Sequence, residues 1–274
     1  MRSNTNRDNA LRFGALVDDY DRGRLVYDDS ILVTIHRRAP ALPVEGSGRT
    51  VLEIGPGTGQ LTRALLGSRR HVIAVEPDAA VVGRLRRLSA DDDDLDVCPV
   101  PFENVDLPPG HVAEVWAADA FHWVDPRRGY PLVARLLRPG GWLVLLWTFA
   151  TVAEPRLCER LNDLYRQHSP DLVREVDLVA SLASNFADGR REIEVSSDLT
   201  VHDHWIEHTS TELPVADYAA MQLSFRHIAE LALDQREELR QAIRTTLGGR
   251  RRVVLGVDRS IVVARSTLPD QRQS

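Results

Sequence analysis

VLEIGPGTGQLTRALL, residues 51–66, decides the reading of the fold. Val51, Leu52 and Ile54 form a short apolar run of the kind a buried strand shows. Gly55, Gly57 and Gly59 follow at alternate positions, and the spacing of Leu61, Leu65 and Leu66 then starts an amphipathic helix. A glycine-rich turn between strand and helix lets backbone approach a ligand where a Cβ would collide. Thr58 is placed to cap the helix behind it.

The next apolar run, Val72–Val75, ends at Glu76. In nucleotide-binding βαβ units an acidic residue about 20 positions beyond the glycines meets the ribose hydroxyls. A carboxylate suits that task because it accepts from both hydroxyls of the diol. The loop reads G-x-G-x-G and not the dinucleotide G-x-G-x-x-G, which counts against an NAD-dependent dehydrogenase. No G-x-x-x-x-G-K-[ST] loop is present to cradle phosphates. The pattern favours a nucleoside without a pyrophosphate.

With these residues in view, EIGPGTG followed by VEPD resembles the cofactor-binding half of the class I methyltransferases that use S-adenosylmethionine (SAM). AADAFHWVD, residues 117–125, is similar to the AxAFHWFD signature of a bacterial small-molecule subgroup that includes trans-aconitate methyltransferase-like proteins. RLLRPGG, residues 135–141, resembles the turn before that family's fifth strand. YDRGR, residues 20–24, is similar to the subgroup's YDxxRPxYP segment, which folds over cofactor and substrate. After Arg24 the chain departs from it, with Leu25-Val26-Tyr27-Asp28 in place of the proline-containing stretch. The motifs cover roughly residues 20–147 in the family's order.

The resemblance implies a Rossmann-like α/β fold: a seven-stranded, mostly parallel sheet with one antiparallel strand, helices on both faces and a helical cap. It implies that Glu53, Gly55, Pro56, Gly57 and Gly59 hold SAM, together with Glu76 and Pro77 from the second strand end. Phe102 and Glu103 would border the adenine, although Phe102 reads equally well as core. Ala118 and Asp119 complete the expected cofactor set from the fourth strand end. Asp119 stands where the subgroup usually has glutamine, a change that would either alter local hydrogen bonding or repel an acidic substrate. Tyr20 and Arg22 are placed either to reach the cofactor or an anionic substrate, or to form a helix-start salt bridge. His122 is the candidate for acceptor positioning or general base, with a purely structural role as the competing account. Trp123 is assigned to the substrate side.

Along the chain, residues 1–48 read as a polar leader and a helical segment over the site, 49–150 as the SAM-binding core. Residues 151–274 complete the sheet, with a cap insertion at about 212–248. Strands are expected at 192–201 and 259–265, two β segments with a bend at 256–258 within 252–264, a helical or loop-rich stretch at 171–186, and helices at 214–229 and 234–247. The last residues, 266–274, read as a frayed tail.

Composition narrows the function classes. The net charge is −6 and all 34 basic residues are arginine. Without lysine, Schiff-base and lysine general-base mechanisms are excluded, because arginine keeps its proton. An acidic chain argues against a nucleic-acid partner. So does AADAFHW, where RNA adenine dimethyltransferases carry an N-L-P-Y-type motif. Cys98 and Cys158 form no C-x-x-C pair or disulfide framework. No apolar run approaches the length of a membrane span, and the first residues carry no signal-peptide core. A cytoplasmic monomer or homodimer is the expectation. His202, His204 and His208 resemble a metal cluster in composition only, since their spacing matches no standard zinc arrangement, and no metal is expected.

The expected reaction is methyl transfer to a small molecule, plausibly in specialised metabolism, with the acceptor atom left open. The other reading from the same motifs is a protein that binds SAM without transferring its methyl group, as a cyclase or regulatory subunit would.

Overall fold

Alternating apolar runs and amphipathic segments fold, in a computed structural model, into one sheet flanked by helices. The structure describes residues 17–43, 45–46, 49–89, 93–168, 189–196, 198–225, 228 and 231–268. The expected leader at 1–13, the helical or loop-rich stretch at 171–186 and most of the tail lie outside the described residues.

In chain order the elements are α1 (Val17–Gly23), α2 (Asp29–Arg38), β1 (Arg49–Ile54), α3 (Thr62–Gly67), β2 (Arg70–Val75), α4 (Ala79–Ser89), β3 (Leu95–Cys98) and β4 (Val112–Ala118). Then come α5 (Pro126–Leu136), β5 (Leu137–Val152), α6 (Pro155–His168), β6 (Leu199–Pro214), α7 (Val215–Leu223), α8 (Leu233–Leu247) and β7 (Arg252–Ser266). The strand order is β3-β2-β1-β4-β5-β7-β6. β1 to β5 pair in parallel, and β7 runs antiparallel to both of its neighbours. One antiparallel strand in a seven-stranded sheet is the arrangement expected from the sequence.

Both faces of the sheet are covered. On one, Leu52, Ile54 and Val115 pack with Tyr130, Val133 and Leu136 of α5. On the other, Val51, Val72 and Trp116 meet Ile31, Leu32 and Ile35 of α2 and Leu65 of α3. Burial on two faces explains why these strands read as continuous apolar runs and not as alternating ones. A third cluster joins α6, α7 and α8 to β5 and β7, through Leu161, Tyr218, Met221, Ile243 and Leu255. This is the cap.

The second half differs from the sequence reading in three ways. Residues 189–195 are helical, and the strand expected at 192–201 instead runs from Leu199 to Pro214. Arg252–Ser266 is one continuous strand without a break at 256–258, because Gly256, Val257 and Asp258 keep partners on both sides. The first cap helix stops at Leu223. β5, β6 and β7 therefore form a ribbon that continues past Leu146, the last β5 residue paired with β4. The ribbon carries the cap beyond the carboxyl ends of the parallel strands.

At the opposite end of the sheet lies a buried polar cluster. The Glu114 carboxylate accepts from Arg49 Nε and Arg70 Nε at 3.0 Å each, and from Trp116 Nε1 at 2.8 Å. Arg70 also donates to the Pro43 carbonyl at 2.6 Å and to the Ser68 hydroxyl. Two guanidinium groups and an indole thus satisfy a carboxylate that has no access to water.

Candidate active site

Parallel sheets of this kind bind ligands beyond the carboxyl ends of their strands, where the strand order reverses. Here the reversal lies between β1 and β4. The loop leaving β1 contains Gly55, Gly57 and Gly59 with φ of 61°, 57° and 95°, backbone that favours glycine. A Cβ on Gly55 would stand 2.6 Å from the Ala120 Cβ, and one on Gly57 3.0 Å from the Tyr20 ring. Gly55 and Gly57 are therefore required twice, by dihedral angle and by the closeness of the β4 loop and α1. Pro56 is buried between two partly exposed glycines. Thr58 does not cap the helix: it is buried, it accepts from the Gln60 side-chain amide at 2.6 Å, and α3 begins only at Thr62.

Two acidic residues sit beside this loop. Glu53, buried in β1, accepts from the Thr62 hydroxyl at 2.7 Å. Burial pushes its carboxyl up to about 7, the Thr62 bond opposes the rise and the charge of Glu76 adds to it. Glu76, at the end of β2, accepts the Asp78 amide at 2.9 Å, and the nearby backbone of Gly57 favours its charged form. Burial lifts its carboxyl to about 7 as well. Half-exposed Pro77 follows, and Asp78 then caps α4 by accepting the Ala80 and Val81 amides at 2.8 and 3.3 Å. The VEPD segment therefore both presents a carboxylate and starts the next helix.

The β4 end supplies Ala118 and Asp119. Asp119 has φ of 53°, a left-handed conformation that Asp tolerates better than most residues. Its carboxylate accepts the Thr148 amide at 2.8 Å and the Tyr27 hydroxyl at 3.4 Å. The Tyr27 hydroxyl also bonds the Thr148 hydroxyl at 2.6 Å. Burial raises the Asp119 carboxyl, while the Thr148 amide and the Arg24 charge hold it back.

From above, α1 lays Tyr20 on the glycine loop. Burial raises the Tyr20 phenol; Arg24 lowers it, and the charges of Asp119 and Glu76 raise it further. The strand ends of β2 and β4 thus converge electrostatically on one residue of α1. Among the described residues, four ion pairs hold that helix down. Asp19 pairs with Arg236 and Arg240 of α8 at 2.9 and 3.0 Å, Asp21 with Arg84 of α4, and Arg22 with Asp217 of α7 at 2.6 Å.

Several expected residues have other neighbours. Arg22, in the last turn of α1 and not at its start, is 60% exposed and engaged by Asp217; Arg24 is the arginine beside Tyr20. Phe102 is core, packed in the cluster that contains Phe121 and Tyr130. Glu103 turns an oxygen to the Asp125 amide at 3.2 Å, tying its loop to the start of α5. His122 and Trp123 lie half-buried on a 3-10 turn after β4, with ring centroids 4.8 Å apart. On β6, His202 meets the Trp142 ring edge-on, His204 meets Arg190, and His208 meets Asp258. His204 and His208 are four strand residues apart, roughly 13 Å, too far to share an ion. Among the described residues no group of three or more His, Cys, Asp or Glu converges as metal ligands would.

Sequence reasoning missed Tyr27, Thr148 and Arg24 as site residues. Tyr27 and Arg24 stand in the N-terminal segment whose pattern departs after Arg24. Thr148 follows directly on the Trp142–Trp147 run, and its importance depends on β5 outlasting β4.

Against this geometry, comparison with known proteins gives a consistent result. Residues 52–145 match the family model of the methyltransferase domain. An uncharacterized methyltransferase of Mycobacterium tuberculosis is 38% identical over 141 residues, 52% of this chain and 54% of the relative. Demethylmenaquinone methyltransferase of Clavibacter sepedonicus is 31% identical over 167 residues, 58% and 64% of the two chains. The chain spans about half the length of the first curated relatives it matches. Among solved structures, a candidate type II methyltransferase from Anaeromyxobacter dehalogenans aligns over 90% of this chain and 99% of its own, with TM-score 0.60 and 19% identity. The fold is the Rossmann-like class I methyltransferase fold, and the stretch that matches the family model runs from β1 into β5.

Proposed function

We propose that the protein transfers a methyl group from SAM to a small-molecule acceptor. One observation carries this reading: the buried Glu76 carboxylate ends β2 beside the backbone of Gly57, with Tyr20 lying against the same glycine. A ribose diol on Glu76 would then rest beside backbone that has no Cβ to obstruct it, with the rest of the nucleoside running toward Asp119. Glu53, Gly55, Pro56, Gly59, Pro77 and Ala118 frame that path as the remaining cofactor contacts. The bound cofactor would supply an activated methyl group, and S-adenosylhomocysteine would be the product. This chain's residues would hold the sulfonium and acceptor in line and exclude water, which is where much of the acceleration in such a displacement arises.

His122 and Trp123 follow the β4 end and are assigned to the acceptor side, with His122 as base where the acceptor carries a proton. Membership of the AFHW subgroup and a place in specialised metabolism rest on the sequence resemblance. Asp119 in place of glutamine turns the expectation away from tricarboxylate acceptors, because a carboxylate there disfavours another. The −6 net charge favours a small molecule over RNA.

Calorimetric titration with SAM and S-adenosylhomocysteine, beside Glu76→Ala, tests the reading. Micromolar binding weakened about 10-fold or more by the substitution is expected, the scale of a lost hydrogen bond to a charged acceptor. Binding of NAD with no binding of either SAM compound would overturn it. Retained SAM binding with no turnover across a broad acceptor panel would favour a binding protein of the same fold.

A further inference from the structure

Across the ribbon, Thr148 of β5 stands directly opposite Arg259 of β7, and Arg259 opposite Glu207 of β6. Residues opposed in this way project from the same face. On that face Arg259 Nη1 lies 3.5 Å from a Glu207 oxygen, and the other Glu207 oxygen accepts from the Thr34 hydroxyl of α2 at 3.2 Å. Arg259 is only 17% exposed, its Nε is shielded from solvent without a hydrogen-bond partner, and its one ion pair among the described residues is this long contact. A position that needed packing alone would be better filled by an apolar side chain.

The guanidinium has instead the ring of Tyr27, whose centroid lies 5.6 Å from its central carbon. A cation near an aromatic ring is attracted to it, and more strongly where water is excluded. Tyr27 is buried, and its hydroxyl faces the cofactor site, bonded to the Thr148 hydroxyl at 2.6 Å and to Asp119 at 3.4 Å. Burial raises the Asp119 carboxyl, and the Tyr27 hydroxyl and the Arg259 charge are among the groups that hold it back.

We infer that Arg259 is a positioning residue of the cofactor site: it holds the Tyr27 ring in place, and the Tyr27 hydroxyl in turn holds Asp119 against Thr148. The strand that supports the cap is thereby tied to the β4 end. The methyltransferase reading enters only through the ligand that Asp119 faces.

The test uses the full chain as wild type, Arg259→Met, Arg259→Lys, Tyr27→Phe and the double variant Arg259→Met/Tyr27→Phe. NMR hydrogen exchange in the unliganded proteins follows the Thr148 amide, which donates to Asp119. Exchange there should be about 5-fold faster in Arg259→Met and in Tyr27→Phe, the scale of one lost contact of this kind. Arg259→Lys should stay close to wild type, and the Leu145 and Trp147 amides should be unchanged. S-adenosylhomocysteine should bind about 5-fold more weakly to Arg259→Met, with less than about twofold further loss when that change is added to Tyr27→Phe. Faster exchange all along β5 and β7 marks a general structural effect and overturns the inference. So do unchanged Thr148 exchange, losses of affinity that multiply in full, and an Arg259→Lys variant as weak as Arg259→Met. Should Arg259→Met not fold, Glu207→Gln, which frees Arg259 from its carboxylate, replaces it; unchanged Thr148 exchange in that variant overturns the inference. Failure of wild type to bind S-adenosylhomocysteine overturns the methyltransferase reading alone, because exchange at Thr148 still decides the positioning.

Discussion

Asp119 Oδ1 accepts the Thr148 amide at 2.8 Å, one step beyond the point where β4 stops pairing with β5. A side chain takes over from a strand that has ended, and its left-handed backbone aims it there. Asn keeps both an acceptor and tolerance of that conformation, whereas Val keeps neither. We predict that Asp119→Val destabilises the protein by about 2 kcal/mol or more, combining backbone strain with a lost bond to a charged acceptor. Asp119→Asn should cost under about 1 kcal/mol. Urea denaturation measures both; equal costs would show that neither the conformation nor the acceptor matters.

The Glu53 and Glu76 carboxyls near pH 7 give the protein a defined pH response. Both are raised above the ordinary 4.5, so the folded chain binds their protons more tightly than the unfolded chain does. Stability from this source is full below about 4.5 and falls as pH rises to about 7. Ribose hydroxyls donate to an ionised carboxylate, so the ligand should select the deprotonated form of Glu76. We predict that S-adenosylhomocysteine binds more tightly at pH 8 than at pH 6. Binding near pH 6.5 should release protons, read as a dependence of calorimetric heat on buffer ionisation enthalpy. Glu76→Gln should remove most of that release, and an unchanged release would assign it elsewhere.

Glu114 tests the opposite end of the sheet. Its carboxylate neutralises Arg70, which is wholly buried, and meets Arg49 as well. Removing one partner of a buried pair leaves an uncompensated charge, at a cost of about 3–5 kcal/mol. We predict a loss of that order for Glu114→Ala in equilibrium denaturation. S-adenosylhomocysteine affinity should stay within about twofold of wild type where the variant folds, because the cluster lies at the amino ends of β1 and β2. A selective loss of affinity without loss of stability would contradict this placement.

The first half of the fold was legible because the strands around Val51, Val72 and Val115 are buried on both faces and each is punctuated by a turn. Gly55, Gly57, Gly59 and Glu76 were legible for a related reason: their roles depend on backbone and on charge within two adjacent βα turns. The ribbon was not. Its residues alternate weakly over 15 or 16 positions, and Gly256 imitates a bend unless both neighbouring strands are known. The choice between Arg22 and Arg24 was hidden for another reason. Two residues apart at the end of a two-turn helix, they part company only because Asp217 and Phe225, nearly 200 residues later, receive one each.

Asp19 connects that distant half of the chain to the site. Its carboxylate is largely buried and shared by Arg236 and Arg240, so it fastens α1 to α8 while Tyr20, the next residue, covers Gly57. Loss of the carboxylate leaves Arg236 and Arg240, both on α8, without the partner they share, and removes the ion pairs between α1 and α8. We predict that Asp19→Asn raises the S-adenosylhomocysteine dissociation constant about 5-fold, equivalent to about 1 kcal/mol. Proteolysis within residues 17–28 should accelerate in the unliganded variant and slow again when ligand is added, because ordering α1 over the nucleoside restores the cover. Faster proteolysis with unchanged affinity would separate the helix from the ligand, and Tyr20 would then be a lid residue that contributes nothing to binding.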